Sequence, residues 1–272
     1  MSKTDSNQNT VEWKQLDWCK IQKAVWKLQK RIYRAYVNGD VRQGRRLQKT
    51  LIKSYYNRLL SVRKVTQDNS GKKTAGVDQV KSLTPKQRFQ LAKDLKLGDK
   101  SQPIRRVWIP KPGKDEKRPL GIPVMRDRAA QALVKAALEP EWESRFENNS
   151  YGFRPGRSAH DAIEAIFNQI RYKSKFVLDA DIAKCFDQIN HQKLLAKLNT
   201  FPSLRRQIRA WLRADICDFE KHQKTPNQQG TPQGGVISPL LSNIALHGME
   251  NRIKQIKGAS LIRYESRFRH FS

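Results

Sequence analysis

Two aspartates, two residues apart on a short apolar segment, are the residues of this chain best suited to chemistry. Asp179 and Asp181 lie in residues 176–182 (FVLDADI), whose apolar side chains predict a strand. Alternate residues of a strand share a face, and two acids there are costly unless a cation or water meets them. Carboxylates of this kind hold the Mg²⁺ ions of nucleotidyl transfer. Taken alone, Asp181 would by default be interpreted as a strand-terminal acid facing water.

Two further segments have residue types that suit phosphate and nucleotide binding. Residues 105–123 (RRVWIPKPGKDEKRPLGIP) predict two short strands whose Lys and Arg side chains could clamp phosphoryl oxygens. Lys and Arg are common here, so any basic hairpin would offer such groups. Residues 229–246 (QGTPQGGVISPLLSNIAL) begin with a tight turn that lets backbone approach a ligand closely. A lone Pro-Gln-Gly would be weak evidence, because Pro and Gly mark turns in any protein.

The net charge points to nucleic acid as the partner. The 272 residues include 54 Lys and Arg against 25 Asp and Glu, a formal net charge of +29. Such an excess repels itself unless a polyanion neutralises it, although a generic basic protein would share it. The three cysteines are scattered without a zinc-binding pattern, the N-terminus is polar, and no apolar run is long enough to span a bilayer. We therefore expect a cytoplasmic protein.

The basic charge is concentrated in two predicted helices near the N-terminus. Residues 20–64 contain 14 basic residues and one acid, Asp40. A one-signed run leaves its repulsion uncompensated, which favours an RNA-backbone contact over a merely solvated face. The buried faces are predicted as Ile21, Val25, Leu28, Ile32 and Tyr36 in the first helix and Leu47, Leu51, Tyr55 and Leu59 in the second. The candidate RNA contacts are Lys23, Lys27, Lys30, Arg34, Arg42, Arg45, Arg46, Lys49 and Lys53.

A second arginine-bearing segment precedes a third amphipathic helix. In residues 151–163 (YGFRPGRSAHDAI), Arg154 and Arg157 flank a Pro-Gly turn that could approach an RNA backbone. Ser158 and Asp161 have the spacing of a capping box. The predicted buried face of this helix comprises Ala162, Ile163, Ile166, Phe167 and Ile170. Later in the chain, residues 239–256 suit one more helix.

The four segments 105–123, 151–163, 176–191 and 229–246 occur in the order typical of one family. Together with the basic N-terminal helices, they resemble the group II intron-encoded reverse transcriptase/maturases of bacterial type. The resemblance implies an α+β right-hand polymerase with fingers and palm. It divides this chain into a disordered tail (1–10), a helical RNA-binding N-terminal extension (11–80), fingers (81–175) and a partial palm (176–272).

The resemblance also implies roles for particular residues. Asp181 would be the catalytic metal ligand, with the Ile182 carbonyl as a second contact to Mg²⁺. Phe186 would crowd the sugar 2′-hydroxyl and so favour dNTPs, although plain core packing would suit it too. The remaining nucleotide contacts would be Lys111, Arg118, Gln233 and Gly234. Asp179, Asp187 and His191 have no implied chemical role and are interpreted as structural.

This sequence departs from the family where the remaining metal carboxylates should stand. The family has Tyr-Ala-Asp-Asp, whereas Tyr264 is followed here by Glu265, Ser266 and Arg267. We therefore expect a chain truncated before that motif, the thumb and the endonuclease region. Its metal site and palm sheet would be incomplete, with a sheet edge left open. A separate fragment carrying the missing palm and thumb could complement it.

Three functions follow from these expectations. The first is that of an RNA-directed DNA polymerase and splicing maturase, inactive as a polymerase on its own, whose partners would be group II intron RNA, an RNA template with a DNA primer, and dNTPs. The second is a non-catalytic splicing cofactor that binds intron RNA, or a remnant of a fragmented reading frame. The third is an inert product that folds poorly because its sheet is open.

Overall fold

Helices form most of the secondary structure of the chain, and two small sheets lie among them. The computed structural model describes residues 12–110, 113, 115–172 and 175–271. The predicted tail at residues 1–10 and Lys111 lie outside the described residues. Among those described, every helix is too short or too polar to span a bilayer.

The first predicted helix is confirmed with its buried face. Helix α1 (Trp18–Val37) begins where the Asp17 side chain accepts the Lys20 N–H at 2.9 Å. It ends at Asn38, followed by Gly39 with a φ of 74°, a conformation that glycine adopts without strain. The side chains of Ile21, Val25 and Ile32 are buried, and those of Leu28 and Tyr36 are half-buried.

The second predicted helix is in fact two. Helix α2 (Val41–Lys53) is capped by Asp40, and α3 (Tyr55–Arg63) follows after Ser54, whose extended backbone breaks the helix. The break turns Tyr55 outward, where it is 46% exposed, so placing it on the buried face with Leu47, Leu51 and Leu59 was wrong. A short π-helical turn then leads toward α4 (Pro85–Asp94).

These helices pack around one buried helix, α5 (Met125–Glu143). Buried amides tie the layers together, because the Gln48 side chain donates to the Glu141 carboxylate at 2.6 Å and that of Asn57 to the Leu133 carbonyl at 3.3 Å. Pro140 lies inside α5 without ending the helix. The helical layer thus has a continuous core behind its basic outer face.

The first sheet contains the predicted basic hairpin. Strands β1 (Ile104–Pro110) and β2 (Lys117–Ile122) pair antiparallel, with β4 (Ile216–Asp218) parallel to β1 and β5 (Gln223–Thr225) at the edge. Neither β4 nor β5 was predicted, and both come from the segment that we assigned to the palm. Their pairing with β1 makes them part of the sheet of the fingers segment.

The second sheet carries Asp181. Strands β3 (Val177–Asp181), β6 (Ser260–Tyr264) and β7 (Arg267–Phe271) are antiparallel in the order β3-β7-β6. Strand β7 was not predicted, and it pairs with one edge of β3. The other edge of β3 has no partner strand among the described residues.

Helices surround this sheet incompletely. Helix α6 (Ala159–Ile170) has the predicted capping box and packs on β6 through Ala162 and Ile166. Three other residues of its predicted buried face are exposed, namely Ile163 (60%), Phe167 (57%) and Ile170 (44%). Their spacing on one face of the helix is as predicted, but no described residue covers that face.

The remaining helices carry the connecting segments. Helices α7 (His191–Leu198) and α8 (Pro202–Leu212) follow β3. The single helix predicted over residues 239–256 is interrupted, giving α9 (Ser238–Leu246) and α10 (Met249–Ile253). The interruption is at Gly248, whose φ of 98° no right-handed helix accommodates.

Candidate functional site

The glycine turn is built directly onto the segment that follows β3. The Gly230 N–H donates to the Ile189 carbonyl at 2.8 Å, and the Thr231 N–H to the Phe186 carbonyl at 2.7 Å. Gly230 has a φ of 83°, and a Cβ there would lie 2.6 Å from the Asp187 carbonyl oxygen. Two motifs far apart in sequence are therefore locked together through their backbones.

The His191 side chain also hydrogen-bonds to the glycine turn. Its ring Nε2 lies 2.6 Å from the Gly230 carbonyl oxygen, which can only accept, so Nε2 carries the proton. Burial lowers the pKa of His191, as does the charge of nearby Arg213. The neutral ring is thus a fixed donor, in keeping with the structural role predicted for His191.

The other side of the glycine turn contacts β2. The Gly121 N–H donates to the Gln233 carbonyl at 2.6 Å. Gly234 has a φ of 110°, and a Cβ there would lie 2.8 Å from the Gly121 carbonyl oxygen. Arg118 is exposed on the same strand. Three of the predicted nucleotide contacts, Arg118, Gln233 and Gly234, are therefore brought to one region, while Lys111 lies outside the described residues.

A cleft of about 780 Å³ opens between β1, β2 and the glycine turn. Arg118 and Gln233 line it, and so do three basic residues that sequence analysis did not single out, namely Arg106, Lys117 and Lys184. Two acids also lie in its wall, Glu116 and Asp187. The balance of charge favours phosphate-bearing ligands over cations.

An aromatic side chain completes this wall. Trp108 lines the cleft, and its indole N–H donates to the Asp218 carboxylate at 2.9 Å. Arg106 and Trp108 lie two residues apart on β1, so period-two alternation could have placed both on one face. Lys184 follows β3 in a left-handed conformation with a φ of 50°, for which no sequence pattern gave a signal.

Asp181 lies against the turn that joins β6 to β7. The Ser266 hydroxyl donates to Asp181 Oδ1 at 2.8 Å, and Arg267 Nε lies 3.9 Å from Asp181 Oδ2. The Ile182 N–H donates to the Ser266 carbonyl at 3.2 Å. Residues 266 and 267 therefore occupy the place opposite Asp181 where the family pattern has its two aspartates.

These side chains do not fit a pair of divalent cations. Mg²⁺ takes oxygen ligands in near-octahedral geometry, and a hydroxyl and a guanidinium supply no further negative charge. Among the described residues, no cluster of three or more His, Cys, Asp or Glu side chains could hold a metal ion. Neighbouring Asp179 is engaged by Arg269, whose Nη2 lies 3.3 Å from its Oδ2. Asp181 with these neighbours therefore does not form a two-metal site.

Glu265 does not take over as a metal ligand in this geometry. Its backbone is left-handed, with a φ of 59°, and packs against Gly152 of the segment before α6. Burial raises the pKa of Glu265, opposed by the charges of Arg267 and Arg118. Burial of this carboxyl thus disfavours the charged form that a metal ligand would need.

Phe186 lies half-buried between the two turns. Its ring makes an edge-to-face contact with Phe153, with ring centroids 6.0 Å apart. That contact suits the core-packing interpretation. It leaves the interpretation as a sugar-crowding side chain equally open, because part of the ring remains accessible.

The two arginines before α6 differ in their surroundings. Arg154 is buried, pairs with the Glu143 carboxylate at 2.9 Å, and donates to the Glu147 and Ser150 carbonyls at 2.8 and 2.7 Å. Because the N–H groups of its guanidinium donate to these protein groups, Arg154 is not available to contact RNA, contrary to our prediction. Arg157 is exposed and remains available to an RNA backbone.

The basic residues of α1 and α2 form an outward-facing surface, called here the basic face. Eight of the nine candidates are exposed, whereas Arg45 is half-buried and donates to the Asn199 carbonyl at 2.6 Å. None of the nine forms a salt bridge with a described residue. The exposed members are Lys23, Lys27, Lys30, Arg34, Arg42, Arg46, Lys49 and Lys53.

Comparison with known families agrees with this geometry. Residues 13–95 match the family described as the N-terminal domain of reverse transcriptase, and residues 109–265 match reverse transcriptase (RNA-dependent DNA polymerase). This chain belongs to the reverse transcriptase family. The second match includes Asp181, the glycine turn and most residues that line the cleft, and the first includes the basic face.

Individual relatives confirm the resemblance to group II intron proteins. The chain is 36% identical over 195 residues to the group II intron-encoded protein LtrA of Lactococcus lactis, covering 70% of this chain and 32% of LtrA. It is 35% identical over 208 residues to protein YkfC of Escherichia coli, covering 72% and 54%. Maturase-like protein 1 of Euglena gracilis is 29% identical, covering 86% and 51%. The matched part is thus a third to about half of each relative's length.

Solved structures show a weaker likeness. A partial Cas6-RT-Cas1–Cas2 complex has a TM-score of 0.47 and 23% identity, covering 83% of this chain and 38% of that chain. A telomerase from Candida albicans, in complex with a fragment of telomeric RNA, has a TM-score of 0.43 and 13% identity, covering 64% and 38%.

Proposed function

We propose that this chain binds structured group II intron RNA as a maturase-type splicing cofactor and does not synthesise DNA by itself. The observation that carries the second half is the placement of Ser266 and Arg267 against Asp181, where two further carboxylates would be needed. The first half rests on the basic face, whose lysines and arginines have no described acidic partner. The relatives that are intron-encoded or maturase-like support the choice of RNA.

The basic face suits the backbone of a folded RNA. Each Lys or Arg that meets a phosphate releases a counterion, which makes affinity strongly dependent on salt. Helical RNA is recognised largely through its shape and its phosphates and hydroxyls, which long cationic side chains on a rigid helical layer can follow. The continuous core behind α1 and α2 holds these side chains in fixed relative positions.

A second candidate is RNA-directed DNA polymerase activity that depends on a complementing polypeptide. The cleft beside Arg118 and Gln233 favours it, because a nucleotide site would need such a basic, partly aromatic wall. In this case the partners would be an RNA template with a DNA primer, dNTPs and Mg²⁺, and the polypeptide would have to supply the missing metal ligands. A separate fragment carrying palm and thumb residues would meet that need.

The RNA-binding proposal is tested by charge-matched double variants. Lys27→Ala/Arg34→Ala removes two charges from the basic face, and Arg252→Ala/Lys257→Ala removes two exposed charges in and after α10. On an intron RNA probe, we expect the first variant to reduce the slope of log affinity against log salt by about 1.4 to 1.8, at 0.7 to 0.9 per lost phosphate contact. The second should leave the slope nearly unchanged. Equal slopes in all three proteins would contradict the proposal.

Primer extension on an RNA template with Mg²⁺ and dNTPs tests the other half. We expect no product from the purified chain or from its Asp181→Ala variant. Product from the unaltered chain that disappears in the variant would show that carboxylates outside this arrangement complete the site.

A further inference from the structure

A line of exposed apolar side chains runs along α1 beside its basic residues. Trp26 is 57% exposed, Tyr33 43% and Val37 56%. Residues seven and eleven positions apart fall on nearly the same side of an α-helix, so the three form one stripe. The buried side of α1 is already supplied by Ile21, Val25 and Ile32, so packing within the protein does not require this stripe.

Cationic groups lie directly alongside the stripe. The Lys30 ammonium is 4.2 Å from the centroid of the Trp26 ring. Helical geometry places Lys23, Lys30 and Arg34 within about 80° of Trp26 around the axis. A purely electrostatic surface needs no indole, and exposing one to water is unfavourable. The combination of exposed rings and cations is the one that single-stranded nucleic acid sites use.

We propose that Trp26 and Tyr33 stack on unpaired bases of the RNA whose phosphates the basic face holds. The partner chemistry is then a folded RNA with an unpaired loop or bulge at this helix, and a uniform duplex lacks the bases that the rings would meet. When Lys30 moves to a phosphate, the face of the Trp26 ring becomes available to a base. This inference rests on the proposed RNA binding and adds to it the kind of RNA element recognised.

The distance between the rings sets the size of that element. Seven residues of helix correspond to about 10 Å along the axis, at 1.5 Å per residue. Stacked nucleotides advance by about 3.4 Å per step, so the two rings span roughly three nucleotide steps. An unpaired segment of four or more nucleotides would therefore reach both rings.

The test compares two RNA probes with the same number of phosphates, a hairpin with an unpaired loop and a fully paired duplex. The variants are Trp26→Ala and Tyr33→Ala, with Trp26→Phe as a conservative variant that keeps an aromatic face. Phe167→Ala on α6 is the matched control, because that ring is also 57% exposed. We expect each alanine variant to weaken hairpin binding about tenfold, as loss of one stacked base does, with duplex binding and salt dependence unchanged.

The outcomes separate this inference from the proposed function. Trp26→Phe should retain most of the hairpin affinity, and Phe167→Ala should retain all of it. Hairpin binding that is unchanged in Trp26→Ala, or weakened equally on hairpin and duplex, would overturn the stacking role while leaving RNA binding intact. Failure of the unaltered chain to bind either probe would instead overturn the proposed function, and the stacking role with it.

Discussion

The two turns that contact β3 and the segment after it differ in how tightly their side chains are constrained. The turn at Gly230 is fixed by backbone hydrogen bonds to Phe186 and Ile189 in a place where no Cβ fits. The turn at Glu265 is also held by backbone pairing with β3 and Ile182, but the Asp181 and Arg267 side chains that face each other are 55% and 80% exposed. Backbone contacts forbid substitution at the first turn, whereas the second can change its side chains without losing its strand pairing.

The contrast explains which parts of the family pattern this chain keeps. The β3–β7 ladder pairs Asp181 with Arg267 through main-chain groups, which do not depend on the identity of either side chain. The hairpin therefore forms with Ser and Arg where the pattern has two acids. The glycine turn needs Gly230 and Gly234 because a Cβ would not fit at either position, so both turns keep their backbone geometry although the second lacks the two acids.

The largest expected effect comes from adding one methyl group to the first turn. Gly230→Ala forces a Cβ to within 2.6 Å of the Asp187 carbonyl oxygen and places alanine at a φ of 83°. We expect a loss of about 3 kcal/mol in the free energy of unfolding, measured by urea denaturation.

Gly258→Ala is the control for that measurement. Gly258 has a similar φ of 79° but nothing within 4 Å of its Cβ position, so only the backbone strain of about 1 to 2 kcal/mol remains. Equal losses in the two variants would mean that the first turn is no more tightly packed than a surface loop.

The second turn should instead gain a function when it is substituted. Ser266→Asp/Arg267→Asp places two carboxylates opposite Asp181, and we expect the variant to bind Mn²⁺ or Mg²⁺. Unfolding experiments with metal would show stabilisation by up to about 2.7 kcal/mol at a hundredfold excess over Kd. The unaltered chain and the uncharged Ser266→Asn/Arg267→Asn variant should show none. Equal stabilisation of the unaltered chain by metal would contradict the inference that Ser266 and Arg267 leave no metal site at Asp181.

A smaller effect is expected from pH at the first turn. Because the folded-state pKa of His191 is lowered from 6.5, its contribution to stability is complete above pH 6.5 and is lost as pH falls toward the folded value. Thermal denaturation between pH 7.5 and 5 should show this loss, and His191→Gln, which can still donate to Gly230 but cannot titrate, should lack it. His191→Leu should cost about 1 kcal/mol at neutral pH, because the Gly230 carbonyl loses its donor. A pH profile unaltered by His191→Gln would exclude this role.

Sequence patterns predicted the parts of the molecule that depend on local spacing. The face of α1, the β1–β2 hairpin and the Ser158 cap all follow from periodicity and capping rules. The exposed face of α6 did not follow, because an apolar stripe says which side chains are apolar and not what covers them. Strands β4 and β5 are three residues each, too short for any period to show.

The candidate site was predictable to a similar degree. Residue types and family spacing singled out Arg118, Gln233 and Gly234, which the structure brings to one region. They could not show that Arg154 is buried against Glu143, because the residue type does not reveal whether a charged side chain is buried or exposed. Nor could they show that Ser266 and Arg267 face Asp181, since that placement depends on a strand register that only the folded sheet defines.

Strand β3 is exposed in an unusual way, with consequences for how a cell would handle this protein. Phe176 at its start is 86% exposed, Val177 and Leu178 are 49% and 57% exposed, and one of its edges has no described partner. Chaperones and degradation machinery recognise extended apolar segments of this kind. Any contact that covers β3 would therefore be expected to lengthen the protein's half-life.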